Sequence, residues 1–268
     1  MTKLVAQLFL LILAQWVSGA AIAGESMAGI EDRWLMLVAT RCTDPAREAQ
    51  FNAWYDDIDI PDVLEVPGYE RARRGRRLEV PQSGATGAPD DDGPYVALYD
   101  IGSSNIDKTI IEMLMATRKM EMRGRSTDLL KVVERVYYRQ RAPTIEALTS
   151  RPSGGNEYLL VERADCCRDA AAEARFNAWY DDTHLPGVMK TKGFLRATRY
   201  ELYRVLMVEP KEASKFLTVY ELEAASAEVA ANQMRMVIEQ LRDAGRTDDS
   251  VIERGSAMYL KIKDVKRP

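Results

Sequence analysis

The sequence predicts an α+β protein: two ferredoxin-like β-α-β-β-α-β repeats packed sheet to sheet as an internal pseudo-dimer. Three observations predict it. Phe51-Asn-Ala-Trp-Tyr-Asp-Asp57 recurs letter for letter as Phe176 to Asp182, and 13 of the 24 positions from Phe51 to Arg74 match those 125 residues further on. Both copies run through the same order of strand-like and helix-like segments. An antiparallel sheet with its helices on one face leaves the other face bare, so two copies gain by facing each other.

Residues 1–23 stand apart from the repeats. Lys3 precedes an uncharged run over 4–23, densest at Leu8-Phe-Leu-Leu-Ile-Leu13 and closing on Ala21-Ile-Ala23. A basic start, a short apolar core and small residues at the end describe a signal peptide cleaved near Ala23, which predicts a secreted or periplasmic chain without stable membrane association. The alternative is an uncleaved N-terminal anchor; Gln7, Gln15, Ser18 and Gly19 dilute the run and weigh against it. Repeat one then covers 24–145, a linker 146–156, and repeat two 157–268.

Each repeat opens on a strand, Trp34-Leu-Met-Leu-Val-Ala39 or Tyr158-Leu-Leu-Val161. A helix follows, started by Asp44 with Pro45 in one copy and by Asp169 in the other. It carries the heptapeptide and is expected to break near Pro61 or Pro186. Gly68 or Gly193 turns the chain into a second strand, with alternation visible in Phe194-Leu-Arg-Ala-Thr-Arg-Tyr200. Third strands are expected at 95–99 and 216–220, second helices at 106–120 and 227–241, and fourth strands at 133–138 and 257–262. Residues 81–94 read as an exposed loop, and 142–156 as the connection between copies.

A formal charge of -4 argues against nucleic acid as a partner. The local cluster Arg71, Arg73, Arg74, Arg76 and Arg77 reads as a solvated strand edge. Three cysteines leave at least one thiol unpaired within the chain. Cys42 and Cys167 sit at equivalent points and read as small residues ending a buried strand. No Cys/His spacing suggests a metal.

Phe176-Asn-Ala-Trp-Tyr-Asp-Asp-Thr-His-Leu-Pro186, followed by Gly193-Phe-Leu-Arg-Ala-Thr-Arg199, resembles the EthD-like branch of the dimeric α+β barrel superfamily. The resemblance covers both repeats and implies that they close into one barrel. It is specific for fold and weak for chemistry, since relatives include lactone isomerases, polyketide cyclases, cofactor-free monooxygenases and haem peroxidases. Copy one departs from the motif at Asp59, where the family histidine is missing. A histidine-dependent site would therefore exist once per chain, in repeat two.

That histidine, His184, is the only one in the sequence. On a helix advancing about 100° per residue, Asn177, Tyr180, Asp181 and His184 share one stripe, with Trp179 beside it. The bland reading has Phe, Trp and Tyr filling the space between helix and sheet, Asn and Asp bonding the following turn, and the histidine interacting with the helix dipole. The functional reading makes His184 general base and then acid in a cofactor-independent proton transfer on a small hydrophobic or aromatic molecule. Asp181 or Tyr180 would hold its tautomer, and Arg196, on the face of Phe194 and Tyr200, would stabilise a developing enolate or carboxylate. Candidate substrate contacts are Asn177, Trp179 and Tyr200, with Asp59 and Tyr55 at the matching points of copy one. No metal or cofactor is expected. The competing readings are a non-catalytic carrier, with Met113, Met115, Met120, Met122, Met234 and Met236 as an adaptable surface, and a haem-binding barrel ligated through His184. A monomer becomes possible because the tandem repeat satisfies its own dimer interface, and a higher homo-oligomer is the alternative.

Overall fold

The first strand of each repeat lies in the middle of its sheet, which is why its sequence is apolar on both faces. In the computed structural model, which describes residues 31–79, 93–147, 154–167, 169–208, 212–243 and 250–268, β1 (Arg33–Cys42) runs between β3 (Tyr95–Gly102) and β4 (Leu130–Gln140). In repeat two, β6 (Asn156–Asp165) runs between β8 (Phe216–Ala224) and β9 (Ile252–Lys266). The outer strands are β2 (Tyr69–Arg77) on β3 and β7 (Phe194–Val208) on β8. The proposed signal peptide and almost all of the 81–94 loop lie outside the described residues.

The two sheets join along both edges. β2 pairs antiparallel with β9 and β4 with β7, so eight strands close into one antiparallel barrel, and the short β5 (Ile145–Glu146) adds to β7 inside the expected connection. Closure gives the backbone groups of all four outer strands a partner. It also overturns, for part of the cluster, the reading of the β2 arginines as a solvated edge: Arg73 is buried at the seam and Arg74 under the helices, while Arg76 stays exposed.

Strand alternation divides the side chains between two environments. Leu35, Leu37, Leu98, Leu159, Val161 and Leu217 are among those filling the barrel interior. The alternate positions face the helices: α1 (Glu48–Trp54), α2 (Ile60–Leu64) and α3 (Ile106–Met122) in repeat one, and α4 (Ala170–Trp179), α5 (Leu185–Val188) and α6 (Ala227–Asp243) in repeat two. Among the described residues no helix is long and apolar enough to cross a membrane.

The caps are where the sequence places them. Asp44 accepts from the Ala46 N–H at 3.0 Å, and Asp169 from the Ala172 N–H at 2.8 Å. The expected break at Pro61 and Pro186 does not occur. The chain widens instead into one π-helical turn, Tyr55–Asp59 or Tyr180–His184, in which the N–H of Ile60 or Leu185 bonds to the carbonyl five residues back. Each proline then falls in the first turn of the next helical segment, where its missing N–H costs nothing and the wider turn relieves its ring. The extra residue shifts the buried stripe to Phe51, Tyr55, Ile60, Val63 and to Phe176, Tyr180, Leu185, Val188. Asp59 and His184 are the last residues of their π turns.

The turn after these helices depends on glycine. Gly193 has φ 99°, and a Cβ there would meet the Glu223 carbonyl oxygen at 2.8 Å; Gly124 has φ 67° with nothing within 4 Å. Gly193→Ala is therefore expected to cost more than the ~1–2 kcal/mol of left-handed strain that Gly124→Ala alone should show. Urea midpoints at unchanged slope are the measurement, and equal losses at both positions would sink the explanation.

Candidate functional site

The repeated heptapeptide holds a buried arginine. In repeat two, Arg199 of β7 donates to Asp181 Oδ1 at 3.0 Å and Asn177 Oδ1 at 2.7 Å. Its guanidinium lies 4.3 Å from the Tyr180 ring centre, 4.8 Å from Phe216 and 5.0 Å from Phe176. Repeat one does the same with Arg74, which donates to Asp56 at 2.9 Å and Asn52 at 2.6 Å among Tyr55, Tyr95 and Phe51. Both arginines are almost completely buried. Asn and Asp thus bond a strand arginine, not the following turn, and the aromatic residues cover it.

His184 stands beside this clamp. Its ring centre is 4.5 Å from that of Tyr180 and 5.2 Å from that of Trp179, and its Nε2 is 3.5 Å from the Tyr220 hydroxyl. The residue is half-buried by exposed surface, yet its ring is enclosed enough that burial, followed by the charge of Arg199, pulls its pKa from 6.5 to about 4. The imidazole is therefore neutral at pH 7.

Glu162 completes the cluster, and sequence reasoning missed it. Tyr180 Oη donates to Glu162 Oε2 at 3.3 Å and accepts from Thr218 Oγ1 at 3.0 Å. Burial first, and the neighbouring charge of Glu253 second, push the Glu162 carboxyl from 4.5 up to about 7, while the Tyr180 and Tyr220 hydroxyls hold it back. Four titratable side chains are thus contiguous: Glu162, Tyr180, Tyr220 and His184. The available signal was periodicity: Tyr158, Leu160 and Glu162 share the helix-facing side, where a carboxylate is out of place.

Repeat one has different chemistry at the matching points. Ala72 pairs with Tyr99 and Ala197 with Tyr220, and those tyrosines lie opposite Met36 and Leu160 on the first strands. Two residues on, Val38 corresponds to Glu162, and the partners of these across the next ladder are Arg135 and Ser256. Asp59, in the place of His184, accepts from Tyr99 Oη at 3.2 Å, and burial raises its carboxyl to about 6 against the pull of Tyr99, Arg135 and Arg74. Asp59, Tyr55 and Arg135 line a cavity of about 240 Å³ between helices and sheet.

The structure brings Tyr180 and Trp179 to His184, and takes Asp181 and Asn177 to Arg199. It carries Arg196 elsewhere. A register shift between Phe194 and Arg196 breaks the alternation, so Phe194 packs under the helices while Arg196 and Tyr200 line a second cavity, at one end of the barrel. There Arg196 forms an ion pair with Glu146 at 3.0 Å and approaches Glu221 at 3.9 Å. Glu221 also receives Arg71 at 3.1 Å and Arg73 at 2.9 Å, across the seam between repeats. Among the described residues no group of three or more His, Cys, Asp and Glu side chains could hold a metal ion. Cys166 and Cys167 are bonded to each other, and Cys42 is a buried free thiol.

The chain has the fold of the dimeric α+β barrel superfamily, with one polypeptide supplying both halves. No family model matches the sequence, and no curated protein matches it. Solved structures do. An anthrone oxidase-like protein is 10% identical, over 88% of this chain and 94% of that one, with a TM-score of 0.51. A candidate monooxygenase from Fusobacterium nucleatum subsp. nucleatum is 7% identical over 88% and 94%, with a TM-score of 0.52. A candidate chlorite dismutase is 14% identical over 86% and 95%, with a TM-score of 0.50. At such identities the likeness is one of fold.

Proposed function

We propose that the chain is an exported, EthD-like α+β barrel enzyme whose second repeat runs a cofactor-independent proton transfer on a small hydrophobic or aromatic compound, of the isomerase, lyase or cyclase type. The observation that carries this reading is the neutral His184 beside Tyr220 and Tyr180, whose hydroxyls reach a carboxyl held near pH 7. Environments that push two titratable groups apart assign base and acid. The bare nitrogen of His184 takes a proton from a carbon next to a carbonyl, and the electron pair moves onto the carbonyl oxygen. Tyr220, backed by protonated Glu162, donates a hydrogen bond to that oxygen. The imidazolium then returns its proton to a different atom of the same molecule, so no electrons are gained or lost. Asp181 acts at one remove by holding Arg199, whose charge adds to burial in keeping the imidazole unprotonated. Arg196, at the barrel end, has no part in this scheme.

An iron porphyrin on His184 does not fit these residues. Nε2 abuts the Tyr220 hydroxyl, and Tyr180 and Trp179 enclose the ring. The carrier reading keeps one observation in its favour, the repeat-one cavity with Met113 and Met120 in its wall.

Deuterium exchange into a panel of enolisable aromatic ketones and lactones in D₂O, followed by NMR, tests the enzyme without knowledge of its substrate. Exchange is expected to fall about 10²–10⁴-fold in His184→Ala. Binding without exchange anywhere in the panel, or exchange untouched by the substitution, would leave the carrier. The mass of the mature protein tests signal cleavage: loss of residues 1–23 is expected, and their retention would favour the uncleaved anchor.

A further inference from the structure

We infer that the repeat-one cavity is a separate binding site for a small aromatic carboxylate, whose anionic end is received by Arg135. Arg135 lies opposite Val38 in the β1–β4 ladder and shares its helix-facing side, so its side chain enters the cavity. The fully buried arginines among the described residues have acids: Arg73 has Asp100 and Glu221, Arg74 has Asp56, Arg163 has Glu134, and Arg199 has Asp181. Arg135, half-buried, has none within ion-pair distance among the described residues. Its guanidinium is half-buried in the cavity wall, and a planar fork without an acid partner suits a carboxylate.

The rest of the wall sets the other end of the ligand. Met36, Val38, Trp54, Tyr55, Met113 and Met120 give aromatic and adaptable apolar surface. At about 240 Å³ the space is below the roughly 300–1,000 Å³ of drug-sized sites, which limits the occupant to about one ring with short substituents. Two acids line the wall, and each already has a partner: Asp59 accepts from Tyr99 at 3.2 Å, and Glu121 pairs with Arg118 at 2.7 Å. Repeat two cannot offer the same site, because Ser256 stands where Arg135 stands and Glu162 where Val38 stands.

Calorimetry with 4-methylbenzoate and its uncharged amide tests the inference on the full chain at pH 7. The acid is expected to bind at least tenfold more tightly than the amide. Arg135→Gln should abolish that preference, Arg135→Lys should keep part of it, and His184→Ala should change neither affinity. In the wild type, NMR should show the Trp54 indole signal moving on addition of the acid and the single histidine staying still, a readout that survives even if a variant fails to fold. Equal affinities for acid and amide, binding of neither, an unchanged preference in Arg135→Gln, or a shift at His184 without one at Trp54 would each overturn the site. Because His184→Ala separates the two repeats, failure here leaves the proton-transfer reading standing, and the reverse holds as well.

Discussion

Replacing Arg199 by alanine is expected to destabilise the protein by about 3–5 kcal/mol, and replacing Arg74 to cost about the same. Each substitution removes two charge-assisted hydrogen bonds, strips three aromatic rings of the group they cover, and opens a cavity that the surrounding barrel cannot fill. The carboxylates left behind, Asp56 and Asp181, keep about a quarter of their side-chain surface in water and regain some hydration, which sets an upper bound on the loss. The exposed pair Arg33–Glu70 is the control, because an ion pair in water contributes about 0–1 kcal/mol and Arg33→Ala should do no more than that. Urea unfolding reads both. The Arg199 variant carries a second consequence that a purely structural role at Arg74 does not: removing that charge should raise the titration midpoint of His184 from about 4 toward 6.5, visible in its one imidazole signal. Losses below about 1 kcal/mol at both arginines would mean that the heptapeptide is not kept for this clamp.

The repeat was legible because it is chemical as well as periodic. Every residue of Phe-Asn-x-Trp-Tyr-Asp touches the clamp or its neighbours, so both copies had to keep the whole word. What the sequence hid are events that break a period. A π turn inserts one residue into a helix without any letter that announces it, so Pro61 and Pro186 read as stops when they are passed without interruption. The shift between Phe194 and Arg196 is of the same kind in a strand: one irregular residue sends Arg196 to the barrel end and leaves Arg199 under the helices. The offset of 125 residues does not hold in the first strand, where it would align Glu162 with Leu37 inside the barrel. The ladders instead place Glu162 on the helix side with Val38. Arg73 looked solvated because pairing between the ends of two repeats is invisible within either one, and its partner Glu221 belongs to the other repeat. Arg135 could not be singled out at all, since its importance lies in what its neighbours lack.

Glu162→Gln is the sharpest probe of the proposed chemistry, because stability and turnover should both lose a pH dependence near 7. In the unfolded chain this carboxyl releases its proton at about 4.5, and in the folded protein at about 7. Between those values the folded state binds more protons, so the stability linked to this group is complete below about 4.5 and is lost as pH rises through about 7, amounting to at most ~3 kcal/mol. Asp59 acts in the same sense through about 6. His184 acts in the opposite one: its lowered pKa favours the neutral folded form, a contribution present above 6.5 and lost as pH falls through about 4. Relative to wild type, the glutamine variant should therefore gain stability between pH 5 and 8, while Asp59→Asn should gain over a lower window. For the reaction, His184 as base sets an acid limb near 4 in kcat/KM, and Glu162 as acid sets an alkaline limb near 7. Glutamine keeps the size of the side chain and removes its proton, so the rate should drop and the alkaline limb should disappear with it. A limb that stays near 7 in Glu162→Gln would place the acid elsewhere and reduce Glu162 to a buried carboxyl that merely tightens the packing around Tyr180.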